Sequence, residues 1–116
     1  MFGINHRWIG VLAAAALALS ACASGASPGT GPITLSPGVQ RAYAEYLARD
    51  YPLAFAVSTD GRRAGYVYCP EMQCLGVETA GAVYQCEKSG HACYVYAWRR
   101  DVVWDETQPA PPPRAP

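Results

Sequence analysis

Apolar residues at helical spacing predict two helices. Ser36 and Pro37 supply an N-cap and a first-turn proline, and Pro52 ends the first helix near Arg49 or Asp50. The apolar stripe of this helix is formed by Val39, Ala42, Tyr43, Tyr46 and Leu47. A second helix is predicted from Glu78 to Lys88, with an inner side formed by Ala82, Val83 and Cys86.

Alternating side chains predict four strands. They cover 53–57, 65–69, 93–98 and 102–104, and Asp60-Gly61 is a turn signal between the first two. The order α-β-β-α-β-β is typical of a small α+β domain around an antiparallel sheet, here over residues 36–105.

Strand alternation divides the side chains of the predicted sheet into two sets. One set suits the face covered by the second helix: Val67, Cys69, Cys93, Val95 and Ala97. The other forms an aromatic face: Tyr66, Tyr68, Tyr94, Tyr96 and Trp98. Two interpretations of the aromatic face stay open at this stage. Either the first helix buries it, or part of it is exposed and binds a sugar, a peptide or a partner protein.

Length and charge limit the function classes. The chain has 116 residues, 51% of them hydrophobic, and a formal net charge of zero. The length allows one small domain, and the neutral balance argues against nucleic-acid binding, which requires a basic face. A core of about 70 residues is marginal on hydrophobic burial alone, so covalent cross-links are expected.

The two ends of the chain have compositions unlike the predicted domain. The apolar run 8–19 follows Arg7 and is too short to span a bilayer of about 30 Å, which is typical of a secretory signal peptide over residues 1–21. Residues 22–35 are rich in Gly, Ser, Pro and Thr and predict a flexible tether. Residues 106–116 are rich in proline and predict a disordered tail.

The residues that follow the apolar run carry a resemblance. Leu19-Ser20-Ala21-Cys22 resembles the lipobox of bacterial lipoproteins, with Leu at −3, small residues at −2 and −1, and then cysteine. The resemblance implies that Cys22 is acylated after cleavage and holds the protein to a membrane. Ala23 at the next position implies the periplasmic face of the outer membrane. The alternative is an ordinary secreted protein cut after Ala21.

Four cysteines remain in the predicted domain: Cys69, Cys74, Cys86 and Cys93. An even number in a short exported chain predicts disulfides, and of the three connectivities Cys69–Cys74 with Cys86–Cys93 is favoured. A zinc site and a redox centre are weaker alternatives for these four cysteines. Their spacing, C-x₄-C-x₁₁-C-x₆-C, lacks the C-x₂-C pairs typical of zinc sites and the C-x-x-C before a helix typical of redox centres.

The same region is similar to short cysteine-containing modules of bacterial exported proteins that have no assigned function. The similar residues are Ala56-Val57-Ser58 with Asp60-Gly61, Gly65-Tyr66 with Tyr68, Cys86, Cys93 with Val95-Tyr96-Ala97, and Val102-Val103-Trp104. The resemblance covers about 50 residues. It implies the fold and supports the Cys86–Cys93 pair.

Catalytic signals are weak. His91 lies in a predicted loop, and Ser58, Thr59 and Asp60 are more typical of a turn than of a nucleophile site. Two arginine pairs, 62–63 and 99–100, fall at predicted hairpin turns and could share one edge of the sheet.

The sequence therefore predicts a lipid-anchored, non-catalytic binding or structural module without cofactor or metal, whose partner is an envelope protein or glycan. One alternative is a small inhibitor of an envelope-directed hydrolase that uses the Cys69–Cys74 loop. An enzyme is the third hypothesis.

Overall fold

The chain folds into two helices and one antiparallel sheet, described by a computed structural model for residues 26–70 and 78–113. The elements are α1 (Pro37–Ala48), β1 (Pro52–Ser58), β2 (Ala64–Tyr68), α2 (Glu78–Glu87), β3 (Cys93–Trp98) and β4 (Asp101–Val102). The strand order is β2-β1-β3-β4, and neighbouring strands run antiparallel. The predicted α+β fold and its element order are confirmed.

Local hydrogen bonds begin and end α1 where the sequence predicts. The Ser36 hydroxyl accepts a hydrogen bond from the N–H of Val39 at 3.2 Å, and Pro37 occupies the first turn. At the other end, Arg49 has an extended backbone, and its N–H donates to the carbonyl of Tyr46. Pro52 follows and disfavours further helix.

The central strand β1 alternates large and small side chains, which divides the core into two clusters. Phe55 and Val57 belong to the cluster beside α1, whereas Ala54 and Ala56 belong to the cluster beside α2. All four side chains are fully buried. The small residues allow α2 to approach the sheet closely.

Helix α2 approaches the sheet closely at Gly65 of β2. A Cβ at this position would lie 2.3 Å from the backbone nitrogen of Cys86, so any larger residue would push α2 away. Strand β3, on the other side of β1, is linked to the same end of α2, because Cys86 and Cys93 form a disulfide with their Cα atoms 6.1 Å apart. The predicted Cys86–Cys93 pair is thus confirmed.

The other predicted disulfide joins Cys69 to Cys74. Cys69 is buried and disulfide-bonded. Cys74 lies outside the described residues, so this pairing stays a prediction.

A β-bulge changes which residues of β3 face each helix. Phe55 pairs with Ala97, but the next residue of β1, Ala56, pairs with Val95, so β3 contains one extra residue. As a result Ala97 packs in the cluster beside α1, although simple alternation places it with Val95 beside α2. The next residue, Trp98, pairs with Ala54 of the α2 cluster. Cross-strand partners share a face of a sheet, so the predicted grouping of Trp98 with the tyrosines is wrong.

Residues 27–31, expected to be part of a flexible tether, lie along the edge of β3. The N–H of Gly29 donates to Val95 at 2.9 Å, and the N–H of Val95 donates to Ser27 at 3.0 Å. Further along, Gly31 donates to Asp105, and Asp105 donates to Gly29. Composition indicates flexibility, but this segment satisfies backbone groups of an otherwise open sheet edge.

Trp104 fixes this segment to the core. The predicted strand 102–104 is not formed in full, since β4 ends at Val102. The N–H groups of Val103 and Trp104 both donate to the carbonyl of Tyr96 and do not continue the strand ladder. The indole of Trp104 is buried, and its N–H donates to Gly31 at 2.9 Å. The start of the predicted tail also contacts the segment, since the Thr30 hydroxyl donates to Pro109 at 2.7 Å. The ordered part of the chain therefore extends beyond 36–105 on both sides.

Substituting Gly29 tests whether this segment contributes to stability. A Cβ at Gly29 would lie 2.1 Å from the ring of Trp104, so Gly29→Ala should lower the free energy of unfolding by about 1–3 kcal/mol through overpacking. The matched control is Gly38→Ala in α1, where the nearest atom is 3.8 Å away. The control should stabilise by up to about 1 kcal/mol because alanine favours helix. Equal effects of the two variants in urea unfolding would show that residues 27–31 are not part of the cooperative fold.

Removing the Cys86–Cys93 cross-link tests its contribution. The residues are seven positions apart, so the double variant Cys86→Ala/Cys93→Ala should lose about 2–3 kcal/mol of stability by the chain-entropy model. Chemical unfolding followed by tryptophan fluorescence measures the loss. An unchanged midpoint would contradict a stabilising role for this disulfide.

Candidate binding surface

Helix α1 covers most of the predicted aromatic face. The ring of Tyr43 lies 5.0 Å from Phe55 and 5.3 Å from Tyr96 between centroids, and that of Tyr46 lies 5.6 Å from Tyr66. All three contacts are edge-on, the geometry that aromatic quadrupoles favour. Of the two interpretations of this face, burial by the first helix therefore holds for Tyr66 and Tyr96, which are half-buried.

The phenols of this cluster are neutral groups. Burial raises the pKa of Tyr43, Tyr46 and Tyr96 above the ordinary tyrosine value, because desolvation disfavours the phenolate. The hydroxyl of Tyr46 donates to the carbonyl of Arg99 and connects α1 to the turn between β3 and β4. Tyr94 is only 8% exposed and packs in the α1 cluster, so it is a core residue and offers no surface to a ligand.

The two remaining aromatic candidates, Tyr68 and Trp98, are exposed. Their side chains have 38% and 46% of their surface in solvent. Each is paired with an arginine: the guanidinium of Arg49 lies 4.7 Å from the ring centre of Tyr68, and that of Arg99 lies 5.0 Å from the ring of Trp98. These are cation–π distances, and they leave the edges of both groups available for contact.

The strand register brings both arginine–aromatic pairs to the same end of the sheet. Tyr68 pairs with Pro52, the first residue of β1, and Trp98 pairs with Ala54. Arg49 precedes β1 and Arg99 follows β3, so antiparallel pairing places them at this end as well.

An open cleft of about 530 Å³ lies at this end. It is lined by Asp50, Tyr51, Pro52, Leu53, Arg99, Arg100 and Asp101. Tyr51 and Arg99 have left-handed backbones, with φ of 52° and 53°, which is uncommon for residues other than glycine. Hydrogen bonds hold both turns: the N–H of Cys69 donates to Tyr51, and the N–H of Arg99 donates to Leu53. Such conformations persist where surrounding structure fixes them, as at many ligand sites.

Arg100 links the cleft to α1. Its guanidinium donates to the carbonyl of Leu47 at 2.6 Å and to that of Arg49 at 3.4 Å. These carbonyls end the helix and carry the negative end of its dipole, which a cation stabilises. We call the exposed surface here the arginine–aromatic end; it comprises Arg49, Tyr51, Tyr68, Trp98, Arg99 and Arg100.

Two members of this surface, Arg49 and Tyr51, are not predicted from the sequence. Arg49 lies at the end of α1, where its contacts with Tyr66 and Tyr68 distinguish it from other solvent-exposed arginines. The exposure of Tyr51 could have been predicted, since an aromatic residue between a helix end and a proline belongs to no helix or strand face that would bury it.

The two arginine pairs do not share one edge. Arg62 and Arg63 follow the end of β1. Arg99 lies near the start of β1, because the preceding residue, Trp98, pairs with Ala54. The suggestion that the two pairs share one edge is wrong. Because β3 runs antiparallel to β1, the turn after β3 lies at the opposite end of the sheet from the turn after β1.

The residues considered for catalysis lie in two separate connections, one between β1 and β2 and the other between α2 and β3. The Ser58 hydroxyl donates to the carboxylate of Asp60 at 2.6 Å, and it accepts from the N–H of Arg63 at 3.0 Å. The hydrogen bond from Ser58, and after it the one that the N–H of Arg62 donates at 3.0 Å, hold the pKa of Asp60 below its usual value. His91 is exposed and lies 3.3 Å from the carbonyl of Ser89. The arrangement stabilises the β1–β2 and α2–β3 connections.

Residues 26–70 and 78–113 hold no candidate metal cluster and no candidate membrane-spanning helix. These residues contain no group of three or more His, Cys, Asp or Glu side chains placed to hold a metal ion. They also contain no helix long and apolar enough to cross a bilayer.

Comparisons with protein-family models, with curated proteins and with solved structures find no match to this chain.

Proposed function

We propose that this protein is a lipoprotein of the bacterial cell envelope, anchored by acyl chains on Cys22. The support is the sequence Leu19-Ser20-Ala21-Cys22 directly after a short apolar run. The Cys86–Cys93 disulfide agrees with export, because disulfides persist in oxidising compartments. Ala23 after the cysteine favours the periplasmic face of the outer membrane.

The folded part acts as a non-catalytic binding or structural module. The observation that carries this proposal is the arginine–aromatic end, where Tyr51, Tyr68 and Trp98 are exposed at one end of the sheet and the last two each lie beside a guanidinium group. Tyrosine, tryptophan and arginine are enriched in binding hot spots. The aromatic rings offer rigid apolar surface with a polar group, and the guanidinium offers a planar set of hydrogen-bond donors. Its partner is a component of the envelope, and no cofactor takes part.

Acylation predicts a specific labelling result. Cells that express the full chain with an alkyne-bearing palmitate analogue should label the protein, whereas Cys22→Ser should abolish labelling because the hydroxyl cannot replace the thiol nucleophile. Ser24→Ala is the matched control and should label like the wild type. Label retained in the Cys22→Ser protein, or absent from the wild type, would refute the anchor.

Photo-crosslinking in intact cells tests the contact surface. A photoreactive phenylalanine analogue at Tyr51, which is 50% exposed, should give covalent adducts with an envelope component. The same analogue at Arg62, exposed at the opposite end of the sheet, should give few or none. Equal adduct yields at the two positions would contradict a binding role for the arginine–aromatic end.

A further inference from the structure

The two edges of the sheet differ in how they are covered. Beyond β3 lie β4 and the segment 27–31, whose backbone groups bond to Val95 and Asp105. At the other edge, β2 has β1 on one side, and no strand of residues 26–70 and 78–113 lies on its other side. Natural sheets usually protect such an edge with proline, a charged side chain or a bulge. Residues 64–68 contain no proline and no charged residue, and the register shift between β1 and β2 falls in β1.

Every second residue of β2 directs its backbone groups away from β1. The carbonyl of Arg63 accepts from the N–H of Ser58 at 3.0 Å, so the backbone groups of Arg63 face β1. The N–H of Cys69 donates to the carbonyl of Tyr51 at 3.0 Å and faces the same way. Backbone groups alternate between the two sides of an antiparallel strand. The outer edge therefore presents the N–H and carbonyl groups of three residues: Ala64, Tyr66 and Tyr68.

The backbone groups of this edge are self-complementary about Tyr66. A second β2 strand can lie antiparallel to the first with its Tyr66 opposite Tyr66. Residue 64 of each copy then lies opposite residue 68 of the other. The outward groups of one strand meet those of the other in three opposed pairs, with two hydrogen bonds for each pair and six in all. A shift by one residue would place outward groups opposite inward ones and lose these bonds.

The side chains of β2 also complement each other in this register, because cross-strand partners share a face of the sheet. On the α1 face, Tyr68 of one copy lies opposite Ala64 of the other, so a large residue meets a small one. On the α2 face, Val67 lies opposite Gly65 in the same way. Residues 64–68 carry no charge, so two-fold symmetry brings no like charges of β2 together.

The helices leave room for the second copy. Helix α2 packs on Ala54 and Ala56 of β1 as well as on Gly65 of β2. Helix α1 contacts Phe55 of β1 as well as Tyr66. Both helices therefore lie over β1 and β2 together, and not over the edge strand alone. Two-fold pairing separates equivalent helices by two strand spacings or more, which is about 10 Å and suffices for packed helices.

We infer that the outer edge of β2 is a homodimer interface, through which two copies of this chain form one continuous sheet. The occupant is a second copy because the outward backbone groups, the side-chain sizes and the absence of charge are all self-complementary about Tyr66. Antiparallel pairing places the two arginine–aromatic ends at opposite ends of the shared sheet. This inference depends neither on acylation of Cys22 nor on what the arginine–aromatic end binds.

Photo-crosslinking of the full chain in intact cells tests this interface. A photoreactive phenylalanine analogue replaces Tyr68, which is 38% exposed and lies opposite Ala64 of the second copy in this register. Irradiation should give an adduct with twice the mass of the monomer. Trypsin cleaves after Arg63 and Lys88, so the reduced and digested adduct should contain two copies of peptide 64–88 joined together.

The opposite edge of the sheet provides the matched control position. Val102 of β4 is 53% exposed and lies on the far side of the sheet from β2. The same analogue at Val102 should give little or no dimer adduct, although the protein is at the same density in the cell.

A proline substitution tests the hydrogen bonds of the edge. Ala64→Pro, made in the chain with the analogue at position 68, removes an outward N–H from each copy and no bond to β1. Loss of these two hydrogen bonds should lower the yield of dimer adduct about fivefold or more. Ala64→Ser keeps the N–H and should crosslink like the unsubstituted chain. Near-ultraviolet circular dichroism of the purified Ala64→Pro protein verifies its tertiary packing.

Each result decides the inference. Dimer adducts that join two 64–88 peptides, and that decrease in Ala64→Pro, support it. The absence of dimer adduct at Tyr68, an equal yield at Val102, or a dimer joined through another peptide overturns it. An adduct between Tyr68 and a different envelope protein also overturns it, as does an unchanged yield in folded Ala64→Pro. The identity of the joined peptides does not depend on the proline variant, so it decides the question if that variant fails to fold. Adducts from Tyr51 are scored separately, so failure here leaves the proposed binding surface standing.

Discussion

The packing around Phe55 is the interaction on which the rest of the fold depends. Its fully buried ring lies between α1 and the sheet, with the rings of Tyr43, Tyr46, Tyr66 and Tyr96 between 5.0 and 6.2 Å away. Such pairs contribute about 0.5–1.5 kcal/mol each beyond area burial, which is substantial for a domain of this size. The same contacts bury much of Tyr66 and Tyr96, so stability and ligand access compete for this face of the sheet.

The chain segment that follows Cys22 in the sequence is part of the fold, because residues 27–31 cover the edge of β3. Residues 27–31 occupy the edge next to β4, and Trp104 buries its indole against Gly29 and Gly31. Covering an edge in this way prevents pairing with other chains. Ala26, which is hydrogen-bonded to Thr79 of α2, follows Cys22 by only four positions in the sequence. If Cys22 carries the proposed anchor, a module held this close to it has its orientation restricted by its own structure.

The loops at both ends of the sheet are held by specific side-chain bonds. Cys86–Cys93 joins the end of α2 to the start of β3, and Ser58 with Asp60 closes the β1–β2 turn. At the other end, hydrogen bonds from α1 to the β3–β4 turn involve Tyr46 and Arg100. These bonds position Arg99 beside the cleft, although no regular element supports it there.

The sequence by itself determined the elements, their order and one disulfide, because helical and strand periodicity, capping residues and turn signals act locally. It could not reveal the bulge in β3, which places Ala97 and Trp98 on the opposite faces from those predicted. Nor could composition show that residues 27–31 lie on the sheet, because the partner groups at Val95 and Asp105 are distant in the chain. Only the tertiary structure decided which aromatic residues are core and which are surface, since that depends on which part of each sheet face the two helices cover.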